Sequence, residues 1–75
     1  MKIRKILKKI DCPYLTLERA SGLYYMFVYW NKRDNKFNVR KVNCGELNDL
    51  NKDSWIQIGR DFAAGMESSS THYFS

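Results

Sequence analysis

The sequence predicts an α+β domain: a short N-terminal helix, a three-stranded antiparallel β-meander and a C-terminal helix packed on one sheet face. Two patterns carry this expectation. Apolar residues recur at helical spacing near both ends of the chain, as Ile3, Ile6, Leu7 and Ile10, and again as Trp55, Ile58, Phe62 and Met66. Between them lie three runs, Tyr14 to Ala20, Leu23 to Trp30 and Phe37 to Val42, divided by the turn-forming clusters Ser21-Gly22 and Asn31 to Lys36.

Each element has a local reason. In MKIRKILKKI the apolar stripe opposes Lys2, Arg4, Lys5, Lys8 and Lys9, and Asp11-Cys12-Pro13 stops the helix. A helix of about ten residues frays alone, so its stripe must dock on the body or on a partner. Leu15 and Leu17 alternate with Thr16 and Glu18, the pattern of a half-buried strand. Leu23 to Trp30 is aromatic and β-branched throughout, which suits a pleated surface. Asn51 is a good N-cap with Asp53 in the first turn, and the second helix is expected to end near Glu67. Gly59 and Gly65 each cost that helix about 1 kcal/mol relative to alanine, unless Gly59 permits close approach to the sheet. Residues 1–67 thus read as one domain, and 68–75, SSSTHYFS, as a flexible polar tail.

Both sides of the central strand are apolar. Loops of even length place Leu17 opposite Met26, Leu15 and Val39 opposite Val28, and Trp30 opposite Phe37. One face then collects Leu15, Leu17, Met26, Val28, Trp30, Phe37 and Val39 as the seat of the C-terminal helix. The other collects Tyr14, Thr16, Glu18, Tyr25, Phe27, Tyr29, Asn38, Arg40 and Val42. An odd first loop would instead leave Tyr24, Met26, Val28 and Trp30 outside. In either case four large residues of the central strand face away from the main helix, and the N-terminal helix could cover part of that face.

Composition excludes several classes. A chain of 75 residues holds one small core, so help from a partner or a second copy is plausible. The 13 Lys and Arg against 8 Asp and Glu, a net charge of +5, favour contact with something anionic. No apolar run approaches a membrane span and no signal-peptide pattern opens the chain, so a cytoplasmic location is expected. Cys12, Cys44 and the single His72 cannot complete a zinc site, and the cysteines read as separate reduced thiols. No nucleophile-base pair and no phosphate-binding glycine loop is visible, so no enzyme, cofactor or metal is expected.

The helix-strand-strand-strand-helix order is similar to that of the double-stranded-RNA-binding domain. That family carries a lysine cluster at the start of its last helix and a Gly-Pro-His type loop between its first strands. Here those places read Asn51-Lys52-Asp53-Ser54 and Ser21-Gly22, so the order alone is shared. Between Tyr14 and Glu67 the chain also resembles short proteins of phages and mobile elements. The resemblance lies in an aromatic YYxFVYW strand and an LNDL-x(4)-W-x(3)-G-x(2)-F segment, here Leu47-Asn48-Asp49-Leu50, Trp55, Gly59 and Phe62. It implies stoichiometric binding to a host protein or ribonucleoprotein complex, as by an anti-CRISPR protein or another anti-defence inhibitor. From the residues themselves, the aromatic strip with its flanking arginines would supply the anchors, Tyr14, Tyr25, Phe27, Tyr29, Arg40 and Arg33, and the N-terminal helix a basic patch, Lys2, Arg4, Lys5, Lys8 and Lys9, that adds steering. The alternatives are nucleic-acid binding by the same face and helix, and a homodimer seam.

Overall fold

The computed structural model describes the backbone of residues 1–72 and the side chains of residues 1–67. The element order is α1 (Ile3–Ile10), β1 (Leu15–Ser21), β2 (Tyr24–Asn31), β3 (Lys36–Val42), a short 3-10 turn (Leu47–Asp49) and α2 (Lys52–His72). The three strands form one antiparallel sheet in the order β1-β2-β3, and the α+β architecture is as the sequence predicts.

The ends of α1 follow from its residues. Asp11 adopts the left-handed conformation, with φ of 57°, and its N–H donates to the Leu7 carbonyl at 2.9 Å, closing the last turn. Lys8 and Lys9 lie in that turn, where a cation suits the dipole. Asn51 caps α2, its Oδ1 accepting from the Ser54 N–H at 2.8 Å. The second helix continues to His72, beyond the expected end near Glu67, and no proline or glycine interrupts residues 66–72. The expectation of a flexible tail falls on residues whose side chains, or for 73–75 whose whole placement, lie outside the described residues.

The β2-β3 register is the expected one, with Val28 opposite Val39 and Trp30 opposite Phe37. Asn31 holds this hairpin by accepting from the Asp34 N–H through Oδ1 and donating to Asp34 Oδ2, each at 3.2 Å. Asn35 supplies the positive φ of 54° that the turn needs. The β1-β2 register differs from the even-loop expectation by one residue. Leu15 pairs with Tyr29 and Leu17 with Phe27, and an irregularity between Arg19 and Ser21 takes up the extra residue. The parity follows the odd-loop alternative, but the bulge lies at Ala20, and Gly22 does not take a positive φ.

That single residue decides which side of β2 is core. Tyr25, Phe27 and Tyr29 are buried, together with Leu15, Leu17 and Val42, whereas Met26, Val28 and Trp30 are only half-buried and Phe37 and Val39 are exposed. The expected core face, apart from Leu15 and Leu17, is therefore the outer face. The inner rings pack against α2: Tyr25 lies edge-on to Trp55 at 5.4 Å, Phe27 is tilted against it at 6.2 Å, and Tyr29 lies edge-on to Phe62 at 6.4 Å, between ring centroids. Such tilted pairs add about 0.5–1.5 kcal/mol each to the area they bury.

Both helices lie on this inner side. Ile6 and Ile10 of α1 are buried in the same cluster as Phe27, Trp55 and Ala63. At Gly59 the backbone of α2 comes so close that an added Cβ would meet Ile10 Cδ1 and stand 2.9 Å from Phe27 Cε1. Glycine is required there by close approach, the one condition that offsets its cost in a helix. The N-terminal helix therefore does not cover the second face of the sheet.

Candidate functional site

The outer face of the sheet is built from alternate residues of its strands. β2 contributes Tyr24, Met26, Val28 and Trp30, β3 contributes Phe37, Val39 and Lys41, and β1 contributes Thr16 and Glu18. Because side chains alternate with a period of two, seating Tyr25, Phe27 and Tyr29 under the helices turns all of these outward. Among the described residues, neither helix packs on this side. Large apolar side chains consequently remain open to solvent: Phe37 retains 65% and Val39 57% of its accessible surface.

The face has internal order. Trp30 and Phe37, directly opposite one another, stack at a tilt with centroids 4.8 Å apart. Val28 and Val39 pair beside them, so rings and branched aliphatics form one continuous strip across two strands. At the far end the Lys41 ammonium sits 4.3 Å from the Tyr24 ring centroid. The charges are peripheral: Glu18 lies on the β1 edge and Lys41 near the end of β3. An apolar centre with polar margins is the layout of a binding surface.

The expected anchor residues divide. Tyr25, Phe27 and Tyr29 are core residues, and as an exposed aromatic strip they are corrected: the bulge turns them under Trp55 and Phe62. Arg40 is exposed, but it shares their inner side and lines a shallow concavity with Ile58, Asp61, Phe62, Gly65 and Met66. Tyr14 is exposed and sets its ring edge-on to Tyr29 at 6.4 Å. Tyr14, Tyr29 and Arg33, with Trp30, line one open cleft of about 380 Å³ at the end of the sheet. Burial, reinforced by Glu67, Cys12 and Tyr14, raises the Tyr29 hydroxyl above the usual tyrosine range. Lys2, at the N-cap of α1, and Arg4, Lys5, Lys8 and Lys9 within it are all exposed.

Sequence reasoning paired Val28 with Val39 and Trp30 with Phe37 but set both pairs in the core. It missed Phe37 and Val39 as surface residues. A signal was present in the size of the rings. Tyr25, Phe27 and Tyr29 together bury more aromatic surface than Met26, Val28 and Trp30, and a small core favours the larger set.

The remaining features are structural. Trp55 Nε1 donates to the Leu47 carbonyl at 2.7 Å, and the Glu46 N–H donates to Asp49 Oδ2 at 3.1 Å. The LNDL segment with Trp55, Gly59 and Phe62 is thus a cap, a close approach and two core contacts. Cys12 and Cys44 are free thiols, and Cys44 Sγ donates to the Glu46 carbonyl at 2.8 Å. Among the described residues no group of three or more His, Cys, Asp or Glu could hold a metal ion, and no helix is long and apolar enough to cross a membrane.

The chain matches no protein-family model, no curated protein and no solved structure.

Proposed function

We propose that this protein works by stoichiometric binding, and that the outer sheet face is its docking surface for a component of a host macromolecular machine. One observation carries the reading: Tyr24, Met26, Val28, Trp30, Phe37 and Val39 form a continuous apolar strip that neither helix covers. A domain of 75 residues with so small a core gains by burying these groups on a partner. Trp30 and Tyr24 are the side-chain types that dominate binding energy at protein interfaces. Met26, Val28 and Val39 at the centre have no flat face for a base, and Lys41 is the one cation among the outward strand positions. That mixture favours a protein surface over a stacking platform for unpaired bases. The sharpest form of the reading is a phage or mobile-element inhibitor of host defence, such as an anti-CRISPR protein. Its support is the resemblance in the YYxFVYW strand and the LNDL to Phe62 segment.

The experiment is capture from nuclease-treated lysate of the native bacterial host, followed by mass spectrometry and light scattering of the purified complex. The tagged wild-type chain is compared with Trp30→Ala/Phe37→Ala. A single protein or ribonucleoprotein partner at fixed stoichiometry, lost in the double variant, is the expected result. Retention of that partner undiminished by the double variant refutes the site. A homodimer that the same variant dissociates gives the face to a second copy instead.

A further inference from the structure

The lysines of α1 do not form a plain solvated row. Lys5, Lys8 and Lys9 line a concavity of about 380 Å³ whose remaining wall is Lys52, the first residue of α2. The fold brings Lys52 to the others across more than forty residues of sequence. None of the four makes an ion pair among the described residues. A fifth cation stands at the margin, because Arg60 spends its guanidinium on the Lys9 carbonyl, at 3.0 Å, rather than on a carboxylate.

The charge excess of the molecule is concentrated in α1. Five of the 13 basic residues precede Asp11, and no acidic residue does; the other eight basic residues are matched by the eight acidic ones. Four ammonium groups around one hollow repel one another, and nothing within the hollow returns that energy. An anion does. The lining also restricts which anion. It contains lysine alone, with no ring to stack on a base and no fork to grip a single carboxylate, so it meets phosphates as point charges and reads no base. Lys2 and Arg4 continue the positive surface along α1, which at eight residues is roughly 12 Å long. That is about the axial length of three to four phosphates on one strand of a duplex.

The geometry points to a nucleic-acid contact at this hollow, in which Lys5, Lys8, Lys9 and Lys52 hold backbone phosphates without reading sequence. The contact lies on the helical side of the sheet, away from the outer face, so it stands independently of the docking surface proposed above. A nucleic acid and a protein can occupy the two sides together.

The test is fluorescence anisotropy with a labelled 20-base-pair duplex between 50 and 200 mM salt. The proteins are the wild type, the combined variant Lys5→Ala, Lys8→Ala, Lys9→Ala, Lys52→Ala, and Trp30→Ala/Phe37→Ala. Four neutralised phosphates predict that wild-type affinity falls on the order of a hundredfold across that salt range. The four-lysine variant should lose binding at 50 mM while keeping the wild-type circular dichroism spectrum and melting temperature, and the sheet-face variant should bind as wild type does. The proposal is overturned by wild-type protein that shows no binding at 50 mM, by a four-lysine variant that binds within twofold of wild type, or by loss of binding in the sheet-face variant. Displacement of the duplex by inorganic tripolyphosphate is expected of a phosphate contact; equal displacement by polyglutamate at the same charge concentration overturns it, since the hollow would then take carboxylates as readily as phosphates.

Discussion

Replacing Gly59 by alanine sets a methyl group where α2, α1 and the inner face of β2 converge. In an open helix the change would stabilise by about 1 kcal/mol through propensity alone. Here the new Cβ meets Ile10 Cδ1 and stands 2.9 Å from Phe27 Cε1 and 3.1 Å from Phe27 Cζ. Ile10 presents the end of a flexible side chain that can shift. The Phe27 ring is fully buried and bounded by Trp55, so the strain falls on packed aromatics. Overpacking of this kind costs about 1–3 kcal/mol, which outweighs the propensity gain. Gly65, on the same helix, has nothing within 4 Å of its added Cβ and is the internal control. Gly65→Ala should stabilise by about 1 kcal/mol, whereas Gly59→Ala should destabilise by up to about 2 kcal/mol net. At about 4–8 °C per kcal/mol for a domain of this size, the two melting temperatures should differ by on the order of 10 °C. Thermal and urea unfolding followed by circular dichroism measure the pair. A Gly59→Ala protein as stable as Gly65→Ala would mean that α1 and Phe27 do not meet α2 at this point, and the reason for an uncovered outer face would go with it.

Two further outcomes follow from the same packing. Phe27→Ala should cost about 3–5 kcal/mol and leave the domain largely unfolded, whereas Phe37→Ala should change stability by less than about 1 kcal/mol; urea denaturation of both distinguishes the inner from the outer face, and comparable losses would contradict the register. Tyr29 has its hydroxyl raised by burial, so the neutral form is favoured in the folded state. Its contribution to stability is fully present below the ordinary tyrosine range and is lost as pH climbs through the raised value. Tyr29→Phe should therefore flatten the fall of the unfolding midpoint above about pH 10, relative to wild type; an unchanged slope would show that Tyr29 does not titrate with folding.

Much of the fold was legible in the residues because it rests on short-range chemistry. The cap at Asn51, the stop at Asp11 and the alternation of Leu15 and Leu17 depend on neighbours within a few positions. The β2-β3 register was legible for the same reason: a polar four-residue turn between Asn31 and Lys36 sets the pairing. The lysines of α1 were legible as a patch. The hollow they form was not, because Lys52 joins it through tertiary packing.

Composition and periodicity determined the number, type and order of the elements, the amphipathic faces of the helices and an excess of apolar side chains in Leu23 to Trp30. Only the tertiary structure decided which half of that excess is core. Both halves are apolar, so hydrophobic pattern does not separate them, and a strand's two faces exchange on a shift of one residue. The irregularity at Ala20 supplies that residue, and the close approach at Gly59 draws both helices onto the side it selects. Tyr25, Phe27 and Tyr29 are thereby enclosed, and Tyr24, Met26, Val28 and Trp30 are left on the outer face.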